Sequence, residues 1–291
     1  MTKRIGSTAA LLVALVLLAG CVGGITTQTP TPRLSPPIIA RPAVLRAVVD
    51  LSYPPFAGTV NGQKVGLDVD VAAAIADQLG LRLELIDATP TVGAALVRAG
   101  TADIVLGDLT VDTAVASQLA FAGTYISDGP AVFAPTGASV EVSDLSSKRV
   151  AVQKGSAAYW ALLDEYGQTP LVVTASLLDA MKAVSSGNAD VAAGDALTGA
   201  YMLRGLPKLK YVGQIGTATP VGVGVSESKA RLETEVRKIL DRLASQGVLT
   251  TLRRKWVGDL PALKSPPVDS LESSPAPSAG SAPAAETSPA P

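Results

Sequence analysis

Histidine is absent from this chain, and cysteine occurs once, at Cys21. Without imidazole there is no Ser-His-Asp or Cys-His nucleophile system, no histidine metal site and no histidine pH switch. One cysteine excludes an internal disulfide and any multi-cysteine zinc cluster. Aromatic residues make up only 4% of the chain, and 24 basic residues against 25 acidic ones leave a formal net charge of −1. The basic residues are scattered, so the chain carries no electrostatic footprint for nucleic acid. The run Gly222–Val225 (GVGV) is no phosphate loop, because no Lys-Ser/Thr follows it. No cofactor or metal is indicated. What is present is apolar: 47% hydrophobic residues over 291 positions, a length that suggests about two domains less whatever the ends remove.

Both ends remove residues. Lys3 and Arg4 precede an apolar run from Ala9 to Ala19, closed by Gly20 and Cys21, the layout of a secretory signal peptide and too short for a spanning helix of ~20 residues. Leu18-Ala19-Gly20-Cys21 resembles the bacterial lipoprotein signal. That resemblance implies cleavage after residue 20 and a lipid on Cys21 that anchors the protein outside the cytoplasm, on the cell membrane. Residues 21–42, rich in Thr, Pro and Gly, read as a disordered tether. Residues 263–291 read as a disordered tail, since 20 of the last 27 residues are Ser, Pro or Ala.

The 43–262 core alternates strand and helix patterns. Leu45–Val49 is a β-prone run. A helix over Leu67–Leu79 follows, with Val71, Ile75 and Leu79 on one face and Gly80 as its C-cap. Strands at 81–86 and 102–106 flank a helix at 91–99. The grammar restarts with strands at 150–152, 171–173 and 190–193 and helices at 156–165 and 177–186; Leu232, Val236, Leu240 and Leu243 stripe a later helix, and Leu249, Leu252 and Trp256 a last one. Twofold alternation predicts an α/β protein of two lobes with largely parallel sheets and a ligand cleft at the carboxyl ends of the strands.

Six fragments carry a family resemblance: DLSYPPF (50–56), GLDVDVAAAIADQLG (66–80), LVRAGTADIVLGDLT (96–110), DLSSKRVAVQKGS (144–156), SSGNADVAAGD (185–195) and LASQGVLTTLRRKW (243–256). In this order they resemble the polar amino-acid family of bacterial extracellular solute-binding proteins, of the type II periplasmic-binding-protein class. The resemblance implies a two-lobe clamp with lobe 1 at about 43–129 and 222–262 and lobe 2 at about 130–221. The chain would cross between them near 127–134 and 219–225. It further implies a monomer that closes on an amino acid or organic amine and docks on the permease of an ABC importer.

The same resemblance implies the site. Tyr53 would present an aromatic wall to the ligand, or simply pack on Pro54 and Pro55. Asp50 would receive a cationic side chain, or only form a turn. Thr110 and the N-terminus of a helix after it would receive a carboxylate, or the threonine would only cap that helix. Gly155 and Ser156 would donate to the ligand. Asp195 would pair with its ammonium, or cap the helix at Thr198. Where the family usually carries a carboxylate-binding arginine this chain has Val115, with Asp112 in place of a usual Thr or Ser and Asp108 just before. The amine partner is thus present and the carboxylate partner missing, which suits a ligand with a cationic nitrogen and no obligatory α-carboxylate. Tyr159 and Trp160 read as packing or as the edge of the cleft. Two other functions fit the same features: a surface sensor or scaffold, and an enzyme of the dehydratase or lytic transglycosylase kind. No catalytic pair is defined by the spacing of the aspartates, so binding without turnover is the expected activity.

Overall fold

The computed structural model describes residues 31–110, 113–167 and 170–265. The signal peptide, Cys21, most of the tether, Asp112 and the tail from residue 266 lie outside the described residues. Among the described residues no helix is long and apolar enough to cross a membrane.

The first sheet grows from the buried strand β1 (Val44–Val49). After the hairpin β2 (Gly58–Val60) and β3 (Gln63–Val65), helix α1 (Leu67–Leu79) buries Leu67, Val71, Ile75 and Leu79 and ends at Gly80 in the left-handed conformation. Strand β4 (Arg82–Asp87), helix α2 (Pro90–Arg98) and strand β5 (Ile104–Val105) follow, and both strands run parallel to β1. Strand β6 (Ala120–Asp128) then leads to the second sheet. That sheet is built from β7 (Pro130–Pro135), β8 (Val150–Gln153), helix α3 (Ala157–Tyr166), β9 (Leu171–Thr174), helix α4 (Leu177–Ser185), β10 (Val191–Asp195), helix α5 (Ala196–Met202) and β11 (Leu209–Gln214). Strand β12 (Thr219–Val225) re-enters the first sheet, and helices α6 (Ala230–Ser245) and α7 (Val248–Val257) pack on it. The strand orders are β4-β1-β5-β12-β6 and β11-β7-β10-β8-β9.

Three expectations are corrected. The sheets are mixed rather than largely parallel, because β12 is antiparallel to β5 and β6, and β7 is antiparallel to β10 and β11. A chain that crosses out and back must feed each sheet strands of reversed direction. The second crossover lies at 215–218, since Thr219–Val225 already pairs with β6; lobe 2 therefore ends before residue 221. Finally, 32–42 and 263–265 are ordered. Leu34 and Ile39 are buried in the main core, and the Ala40 amide donates to Asp103 at 2.8 Å. Two apolar side chains amid polar and proline residues make too short a pattern to register as periodicity.

The lobes share one apolar cluster, which runs from α1 and β1 through Ala131, Phe133 and Leu197. Helix α5 packs against α7 with Phe133 directly over Gly199, where an added Cβ would sit 2.0 Å from the Phe133 ring.

Candidate functional site

Parallel strands leave their carboxyl ends on one edge of a sheet, and in both lobes the candidate residues stand there. β1 and β5 end level with one another and release Asp50–Tyr53 and Gly107–Asp108. In the second lobe β8 and β10 run in parallel register and release Gly155–Ser156 and Asp195.

The two edges meet at Tyr53. Its hydroxyl donates to Asp195 Oδ2 at 3.4 Å, linking residues 142 positions apart and in different lobes. The ring stacks on the fully buried Phe56, with centroids 5.6 Å apart and planes 4° from parallel, so packing and cleft placement hold together. The charged groups acting on the phenol are all acidic: Asp195, Asp108 and Asp128, which together with burial push its pKa well above the usual value. Burial likewise raises the Asp195 carboxyl, while the Tyr53 hydroxyl favours its charged form.

Asp195 is the N-cap of α5 by backbone position, yet its side chain makes no capping hydrogen bond. The helix is served instead by Asp128 from the first crossover, whose Oδ1 accepts the amides of Gly129 (2.8 Å) and Leu197 (3.1 Å). Asp128 therefore leaves Asp195 free of the capping task and directed at Tyr53. Burial, then the neighbouring Asp195, push the Asp128 carboxyl up to about 7. Beneath the site Asp68 is wholly buried and accepts the Tyr125 hydroxyl at 2.6 Å. Burial pushes it up to about 7 against that hydrogen bond and the amides of Gly107 and Asp108. Sequence reasoning missed Asp128, Asp68 and Tyr125 as site-building residues; the only hint was Asp128-Gly129 at an expected crossover.

The remaining candidates divide. Asp50 Oδ1 accepts the amide and hydroxyl of Ser52 at 3.0 and 2.5 Å, the turn-forming alternative. Ser156 caps α3 by accepting the Tyr159 amide at 3.1 Å, and Gly155 supplies the left-handed turn before it at φ 70°. Asp108, also left-handed at φ 55°, is brought to Tyr53 and Tyr125. Thr110 bridges to Val221, and the helix expected after it is corrected: the next helical segment is the single 3₁₀ turn Ala116–Gln118, too short for a helix dipole. Val115 packs against the apolar cluster of Val48, Val97, Val105 and Leu109, away from Tyr53 and Asp195. Trp160 is exposed and meets Tyr159 edge-on.

The sequence profile of the bacterial extracellular solute-binding proteins, family 3, matches residues 45–259. The ABC transporter glutamine-binding protein GlnH of Bacillus subtilis (strain 168) is 24% identical over 208 residues, 69% of this chain and 76% of that protein. The virulence sensor protein BvgS of Bordetella pertussis (strain Tohama I) is 29% identical over 216 residues, 70% of this chain but 17% of that protein. Among solved structures, an ancestral cationic amino acid solute-binding protein superposes with a TM-score of 0.66 at 25% identity, over 74% of this chain and 96% of its own. With two α/β lobes joined by paired crossovers and a profile match spanning both, the chain belongs to the bacterial extracellular solute-binding proteins, family 3.

Proposed function

We propose that this protein is the ligand-capturing subunit of an ABC importer, held on the outer face of the membrane by lipid on Cys21, and that its ligand carries a cationic nitrogen. The observation that carries the ligand reading is the meeting of Tyr53 and Asp195 across the lobes inside a ring of carboxylates, Asp108 and Asp128 among them. Carboxylates crowded in a desolvated cleft resist ionisation, and a cation between them relieves both burial and mutual repulsion. Such a ligand touches both lobes only when they are closed, so binding shifts the population toward closure. The packing of Val115 among apolar side chains supports a site that does not depend on a carboxylate-binding arginine at that position. The named ligand of the ancestral relative, a cationic amino acid, fits the same chemistry; the glutamine of the Bacillus relative is the neutral alternative. The site binds without turnover.

The test is calorimetric titration of the full chain in detergent with arginine, lysine, agmatine, glutamine and glycine. Arginine or lysine binds, agmatine retains most of that affinity, and Asp195→Asn weakens binding by about 10- to 100-fold, the worth of one charge-assisted hydrogen bond. Glutamine or glycine binding as tightly as arginine, with Asp195→Asn indifferent, refutes the ligand reading. Mass spectrometry of the membrane fraction checks the anchor: the protein starts at a lipid-modified Cys21, and Cys21→Ser releases it into the medium.

The similarity to a virulence sensor protein favours a second reading, in which closure is read by a signalling partner rather than a permease. Loss of uptake on deleting the gene separates import from sensing.

A further inference from the structure

The hinge has a third element beside its two crossovers. After α7 the chain runs through Leu260, buried at 5% exposure, and the half-buried Leu263 to the back of the hinge. There the main chain of Lys264 meets the side chain of Gln214, the last residue of β11. The Lys264 amide donates to Gln214 Oε1 at 2.8 Å, and Gln214 Nε2 donates to the Lys264 carbonyl at 2.8 Å. The same carbonyl accepts the Ala218 amide at 2.8 Å. One carbonyl oxygen thus grips residue 214, at the end of the second lobe, and residue 218, at the entry to the first. Gln214 Nε2 also donates to Gly216 Oʹ within the crossover at 2.9 Å, and Gly216 is left-handed at φ 57°, the kind of glycine about which a chain turns. On the inner side Gly129 of the first crossover lies so close to Ala218 that an added Cβ would stand 2.8 Å from its Cα. Ser127 and Ser265 hydroxyls join at 3.2 Å. First crossover, second crossover and terminal segment therefore lie side by side.

We propose that residues 260–265 form a brace across the second crossover that sets how readily the lobes separate. Rotation of the lobes about Ile215–Thr217 changes the span from Gln214 to Ala218, and the Lys264 carbonyl holds both ends of that span. The arrangement it holds is the one in which Tyr53 reaches Asp195. The brace is seated loosely: a cavity of about 210 Å³ bounded by Tyr125, Leu197 and Leu263 lies on one side, and one of about 530 Å³ bounded by Tyr211, Val257 and Leu260 on the other. Leu197 and Tyr125 hold the carboxylates of Asp128 and Asp68 from below the cleft, so release of the brace is felt at the site. This inference concerns the hinge and does not depend on which ligand binds.

Because the gripping atoms of residue 264 belong to its main chain, the side chain is a control. The full chain carrying Cys21→Ser is spin-labelled at Gln63→Cys in the first lobe and Ser146→Cys in the second, and the interlobe distance distribution is measured by pulsed electron resonance without ligand. Lys264→Pro removes the donated amide, Gln214→Ala removes every side-chain bond of the brace, and a stop after Leu263 removes residue 264 altogether. Each is expected to broaden the distribution toward larger separations, while Lys264→Ala superimposes on the parent. Distributions that coincide with the parent in all three brace variants overturn the proposal. So does a Lys264→Ala shift equal to that of Lys264→Pro, which would assign the effect to the lysine side chain.

Discussion

Asp68 makes a quantitative prediction about stability. Its side chain has no exposed surface, and burial raises its pKa from 3.8 to about 7. Between those values the folded protein keeps the proton that the unfolded chain gives up, so stability falls as pH rises, by about 1.4 kcal/mol per unit, and the full loss is reached above 7. Over the whole interval this is about 4 kcal/mol, of which about 3 kcal/mol falls between pH 5 and pH 8. Asp68→Asn keeps an oxygen for the Tyr125 hydroxyl and cannot ionise. Urea unfolding of both proteins at pH 5, 6, 7 and 8 should show the variant gaining on the parent by about 3 kcal/mol across the series. The difference between two proteins at each pH cancels every other titrating group. A difference that stays flat from pH 5 to pH 8 would refute the reasoning, because it would mean that Asp68 ionises in the folded state as easily as in the unfolded one.

Asp128 and Asp195 predict proton release on binding. A cation between them lowers their raised carboxyl pKa values, so affinity for arginine should climb from pH 5.5 to pH 8, and titrations in buffers of different ionisation heat should show protons leaving. Ile39→Ala tests the order of the segment before β1: a fully buried isoleucine should cost about 2 to 5 kcal/mol by chemical denaturation, where a free tether would cost nothing. Gly199→Ala drives a methyl into the Phe133 ring; a loss of about 1 to 3 kcal/mol is expected in the same assay, with the lobe contact at α5 and α7 weakened.

The helices were legible because burial on one face repeats every 3.6 residues, and α1, α4 and α6 fall within a residue or two of their patterns. Strands β6, β7, β11 and β12 were not assigned, since the residues 119–135 and 209–225 carry Pro, Gly and mixed apolar runs whose direction and partners depend on the other lobe. At the site, Tyr53 and Asp195 were legible through the family resemblance, but their contact was not. Asp50, Ser156 and Val115 were singled out too, and the structure gives them turn, cap and packing roles. Asp128 was invisible: nothing local distinguishes it from any acidic residue before a glycine.

Sequence by itself determined the class of the molecule, because the absence of histidine, the single cysteine and the two rounds of strand and helix leave little besides a two-lobe α/β receptor with extended ends. Tertiary structure alone decided which carboxylates share the cleft and where the hinge lies. Both depend on pairs far apart along the chain, Tyr53 with Asp195, Asp128 with Leu197 and Gln214 with Lys264, and their free energies arise only when the two sheets have formed and excluded water from between them.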